Sequence, residues 1–161
     1  MTVHAGWYFD LKHSSQASPT LEGERVAKDV LIRDGKALVI SLTPNSDACS
    51  GGGNSIVHEL DAFTGGRLSI AQFDVNDDKV IDDNDLINPK DPAGNPLVDD
   101  DGNLIKIPPT GKDFTGILYP PVFLTMPDKQ REMKLFSTSA GTTETIFEKS
   151  EKRAMVYWRV R

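Results

Sequence analysis

The twelve residues Asp74-Val75-Asn76-Asp77-Asp78-Lys79-Val80-Ile81-Asp82-Asp83-Asn84-Asp85 carry oxygen donors at the spacing of a calcium loop. Calcium is a hard cation that takes six to eight oxygens, and alternate residues of a tight loop aim their side chains at one centre. In that pattern Asp74, Asn76 and Asp78 supply the first three side chains and Val80 a backbone carbonyl. Asp82 binds directly or through water, and Asp85 closes the loop. Ile81 fits as the apolar anchor behind it. Lys79 stands where glycine normally takes the left-handed conformation, a substitution costing about 1 kcal/mol. Asp85 replaces the longer Glu that usually closes such a loop, as in dockerin-type loops. The expectation is one Ca2+ bound with modest affinity, roughly 10⁻⁴ to 10⁻³ M. The competing reading is a solvated acidic turn, although its six carboxylates would repel one another without a cation.

Other groups give little chemistry. His4, His13 and His58 lie in no metal-ligand spacing, and His58 beside Glu59 puts the two on opposite faces of a strand. Gly51-Gly52-Gly53 is followed by no Gly-Lys-Ser/Thr, so it reads as a close-packed or flexible loop rather than a phosphate cradle. Cys49 is the single cysteine, which excludes an internal disulfide and a multi-cysteine zinc site, and no base stands near it in sequence. No catalytic group emerges, and the chain is expected to be non-enzymatic. A net charge of −6 has the wrong sign for binding nucleic acid. No apolar stretch approaches the roughly 18 to 20 residues of a membrane span, and the opening residues lack the pattern of a signal peptide.

The elements around the loop read as mostly strand, with 161 residues as one domain. Val30-Leu31-Ile32-Arg33 and residues 36–42 flank Asp34-Gly35, the dipeptide of a type I′ hairpin. Residues 55–60 read as a third strand, and residues 68–73 as a short apolar strand leading into the loop. Seven of the ten prolines fall within residues 89–121, so residues 87–127 read as a long irregular excursion, with a small hairpin around Asp101-Gly102. Residues 128–161 are basic and hold strand candidates at 134–137, 143–148 and 154–160. Helix signals are thin: Asp128 is placed to cap a turn or two through Met133, and Asp83 or Asn84 one that Pro89 ends. Residues 74–103 carry ten Asp and two Lys, a local net of −8 that leaves +2 for the rest of the chain.

Several segments follow one another in a telling order: Gly6-Trp7-Tyr8-Phe9-Asp10-Leu11, Gly23-Glu24-Arg25-Val26, Asp47-Ala48-Cys49-Ser50-Gly51-Gly52-Gly53, residues 59–68, then the Asp74 loop. That succession resembles the C-terminal end of PilY-type type IV pilus tip adhesins and biogenesis factors. The resemblance implies terminal blades of a modified β-propeller, with Leu60-Asp61-Ala62-Phe63-Thr64-Gly65 as a blade-ending hairpin. It also implies a fragment of a larger exported protein at the pilus tip or outer surface. Such a protein supports pilus assembly with minor pilins and twitching motility, counters pilus retraction in a calcium-dependent way, and helps cells attach to host or abiotic surfaces. In residues 154–161 alternation places Tyr157 and Arg159 on a basic, amphipathic face. That face suits strand addition to a minor pilin, while Trp158 and Val156 equally suit a closing strand of the domain's own core. A dockerin-like or carbohydrate-binding calcium module of a secreted protein is the alternative use of the same loop.

Overall fold

The computed structural model describes residues 6–11, 23–46, 52–126 and 131–149. The Asp34-Gly35 turn forms as expected: φ is 49° at Asp34 and 75° at Gly35, the paired left-handed conformation of a type I′ hairpin. β1 (Arg25–Val26) and β2 (Leu31–Arg33) both pair with β3 (Lys36–Pro44), through Arg25 opposite Leu42 and Leu31 opposite Leu38. β4 (Gly53–Asp61) runs antiparallel to the whole of β3, and β5 (Gly111–Thr115) adds to its far side. Gly53 is required where β4 starts. Its φ is 152°, and a Cβ there would collide with the Thr43 carbonyl.

A second antiparallel sheet contains β6 (Val122–Thr125), β7 (Arg131–Ser137) and β8 (Thr143–Lys149) in that order. The protein is thus mainly β and antiparallel. Among the described residues the one helical turn named is a 3-10 turn, Asp83–Asp85, and no helix is long and apolar enough to cross a membrane. Over the described residues the two sheets are open and do not by themselves close into a propeller.

The core lies between the sheets, where strand alternation points Leu38, Ile40, Val57 and Phe114 of the first sheet at Phe136 and Ile146 of the second. Phe73 and Leu118 come from connecting segments to complete it. Phe73 and Phe136 are fully buried, and each such side chain contributes about 1.5–3 kcal/mol.

Three expectations are corrected. Residues 68–73 form no strand; Ala71, Gln72 and Phe73 are buried as a plug, so their apolar character serves packing without a pairing edge. Residues 131–133 are strand rather than helix, because pairing with β6 and β8 outweighs the capping signal at Asp128. The proline-rich stretch is not wholly irregular. It contributes β5 and β6, and the bridge between Val98 and Leu104 forms the small hairpin at Asp101-Gly102.

Candidate functional site

The Asp74 loop is anchored at both ends by buried side chains, Phe73 before it and Asp85 within its last turn. The Asp85 carboxylate accepts the backbone N–H of Val75 at 2.6 Å and that of Asp82 at 3.0 Å, so it ties the start of the loop to its end. Asp82 caps the 3-10 turn by accepting from the Asn84 N–H at 2.7 Å. Asp74 accepts from the N–H groups of Asp78 (3.2 Å) and Lys79 (2.8 Å), and Asn76 also accepts from Asp78, at 3.1 Å. The Asn76 amide in turn donates to Asp78 at 3.0 Å, and Asp78 accepts the Val80 N–H at 2.8 Å.

The structure therefore brings Asp74, Asn76 and Asp78 together and folds Asp82 and Asp85 around the 3-10 turn. Lys79 has φ 69°, the left-handed conformation the loop pattern demands at that position, adopted here by a lysine. Among the described residues no three His, Cys, Asp or Glu side chains converge as metal ligands. What Asp74 and Asn76 share is the Asp78 N–H, while the Asp78 carboxylate is turned to the Asn76 amide and the Val80 N–H. Lys112 on β5 donates to the Asp74 carbonyl at 2.6 Å and to the Asp77 carboxylate at 2.8 Å, which fastens the loop to the sheet. That contact holds the exposed Asp77 carboxyl below its ordinary range.

Two arrangements escaped the sequence reading. The first is an ion network buried between the sheets. Lys134 donates to Glu59 and, at 2.6 Å, to Glu148; Lys36 donates to Glu148 at 2.9 Å and to Gln72 at 3.0 Å. Glu59 Oε2 has no hydrogen-bond partner and lies 3.7 Å from the Lys36 ammonium. At the network's margin Arg33 forks onto Glu132 with bonds of 2.8 and 2.5 Å. Strand parity was the available signal, since Lys36 shares the face of Leu38 and Ile40, Glu59 that of Val57, and Lys134 that of Phe136.

The second arrangement lies on the opposite face of β4. Trp7 donates its indole N–H to the Ala62 carbonyl at 3.0 Å, and its ring lies against Gly65, whose φ is 68°. The turn itself is held by Asp61, which accepts from the N–H groups of Phe63 and Thr64 at 3.0 and 2.7 Å. Phe9 and His58 place their rings 5.5 Å apart, and His58 Nε2 lies 3.1 Å from the Ser41 hydroxyl, which donates to Glu24. His58 and Glu59 do point to opposite faces, as expected. Cys49, His4, His13, Tyr157 and Arg159 lie outside the described residues.

Type IV pilus biogenesis factor PilY1 of Pseudomonas aeruginosa strain PAO1 is 35% identical to this chain over 81 residues, as is that of strain PAK. The chain resembles PilY1. The match covers 50% of this chain and 7% of the relative's length, so the chain aligns with a small part of a much longer protein. PilY1 of strain UCBPP-PA14 is 32% identical over 77 residues, 48% of this chain and 6% of the relative. No family model matches the chain, and no solved structure matches it.

Proposed function

We propose that this chain is a non-enzymatic segment of a type IV pilus biogenesis factor, exported and displayed at the pilus tip or outer surface. The observation that carries the reading is the 35% identity to PilY1 over half of the chain. In this role it supports pilus assembly with minor pilins, twitching motility, and attachment to a host or abiotic surface. Two antiparallel sheets packed face to face are compatible with neighbouring blades of a larger propeller, completed by sequence beyond this chain. Residues 154–161, whose sequence alternation predicts a strand presenting Tyr157 and Arg159, are the proposed contact for a minor pilin.

Ca2+ is the proposed ligand of the loop. Asp74, Asn76 and Asp78 would hold it with the Val80 carbonyl, and Asp82 and Asp85 would complete the set. Bound calcium supplies charge neutralisation to six clustered carboxylates, and so orders residues 74–88 while leaving the β3–β4 sheet unchanged. The test is made in the source organism, comparing an in-frame deletion of this segment and Asp74→Ala with the wild type. Loss of surface pili and twitching in the deletion, with a calcium-dependent defect in Asp74→Ala, is expected. Normal piliation and twitching in the deletion would overturn the pilus reading.

A further inference from the structure

Among the described residues one buried side-chain polar atom makes no hydrogen bond, Glu59 Oε2. The other oxygen of that carboxylate accepts from Lys134, and the side chain is 1% exposed, so bulk water does not reach it. A polar atom so placed has lost its hydration and received nothing in exchange. A small cavity opens beside it, lined by five charged groups of the ion network together with Leu38 and Phe123. It offers the centre of a water-sized sphere about 10 Å³, room for about one molecule. Two donors in the lining extend beyond the bonds already described. Lys134 directs two of its three N–H groups to Glu59 Oε1 and Glu148, and Arg33 directs Nε and Nη2 to Glu132, with no bond at Nη1 among the described residues.

We propose that this cavity is the site of one structural water molecule, which donates to Glu59 Oε2 and accepts from Lys134 and Arg33. Three hydrogen bonds is the usual number for a buried water. The charges around the site favour a neutral occupant: Lys36 and Lys134 face Glu59 and Glu148, and Arg33 faces Glu132, so three cations meet three carboxylates. A cation entering there would meet two ammonium groups, and an anion would meet the unbonded Glu59 oxygen. Water alone both donates and accepts. Burial pushes the Glu59 carboxyl up, against the pull of Lys134; a water molecule turns to accept from the protonated form, so the site serves either state. The water joins the Arg33–Glu132 fork to the central ion pairs, making one network of the charges from β2, β3, β4, β7 and β8. The site is independent of the Asp74 loop and of the pilus role.

Oxygen-17 magnetic relaxation dispersion of the full chain counts the water molecules held longer than the protein takes to tumble, without interference from exchanging N–H protons. Wild type is expected to hold one more such molecule than Lys134→Met/Glu59→Met, which makes two of the water's partners apolar and leaves the Lys36–Glu148 pair neutral. Gln72→Leu alters the network away from the cavity and keeps the wild-type count. A crystal structure of the wild type soaked in bromide decides the matter without any variant having to fold. It is expected to show one solvent peak within about 3.2 Å of Glu59 Oε2, with no anomalous signal from bromine. An equal count in wild type and double variant, a bromide ion at the site, no solvent peak there, or Glu59 Oε2 bonded directly to a protein donor would each overturn the assignment.

Discussion

Replacing Lys134 by methionine strikes the ion network at its centre. The side chains of Lys134, Glu59 and Glu148 are 3%, 1% and 4% exposed, so none can be rescued by solvent without separating the sheets. In Lys134→Met two buried carboxylates face Lys36 alone, which lies 2.9 Å from Glu148 but 3.7 Å from Glu59. Breaking a buried ion pair from one side costs about 3–5 kcal/mol, because a charge remains without compensation. Against a typical stability of roughly 5–15 kcal/mol that is a large loss, and at this chain length it lowers Tm by about 6–20 °C. Urea unfolding of the full chain reads it as a fall in the midpoint with an unchanged slope. Adding Glu59→Gln removes the stranded charge, leaves the Lys36–Glu148 pair neutral, and recovers a substantial part of the loss. A cost below about 1 kcal/mol, the scale of an exposed pair, would refute the reasoning. So would a double variant no more stable than Lys134→Met.

The same network has a pH signature. Burial pushes the Glu59 carboxyl up, with Lys134 pulling against it; the folded carboxyl therefore holds its proton more tightly than the unfolded one. Its contribution to stability grows as pH falls from neutrality toward the ordinary carboxylate range, so wild type gains on Glu59→Gln as pH is lowered toward that range in urea titrations. A constant difference would show the direction wrong. Gly65→Ala drives a Cβ to within 2.6 Å of Trp7 Cγ at a backbone φ of 68°. It costs about 1–3 kcal/mol and red-shifts Trp7 fluorescence in a Trp158→Phe background; unchanged emission and stability would refute that packing. Lys79→Gly relieves the left-handed lysine at φ 69° and tightens calcium binding roughly five- to tenfold, with equal or weaker affinity counting against the loop register.

The hairpin at Asp34-Gly35 was legible because a local turn signal and flanking apolar runs agree, and the nine-residue pairing of β3 with β4 extends it. β5 was not: Gly111-Lys112-Asp113-Phe114-Thr115 holds one large apolar residue, Phe114, and becomes a strand only because the β4 edge receives it. The reverse error occurred at residues 68–73, where an apolar run fills the core without pairing. At the loop, the spacing of Asp74, Asn76 and Asp78 was plain in the sequence. Lys112, which fastens the loop from 38 residues away, is brought there by tertiary structure alone. The buried charges were hidden for a related reason. A lysine at an inward strand position contradicts the polar-out pattern, and its partners Glu59 and Glu148 come from β4 in one sheet and β8 in the other.

Isothermal calorimetry of the full chain with Ca2+, repeated on Asp74→Ala and Asp78→Ala, addresses the loop most directly. One site with a Kd of roughly 10⁻⁴ to 10⁻³ M, lost in both variants, is the expected result. No calcium heat in the wild type, or the same isotherm in all three proteins, would mean that residues 74–85 are a solvated acidic turn and not a calcium site.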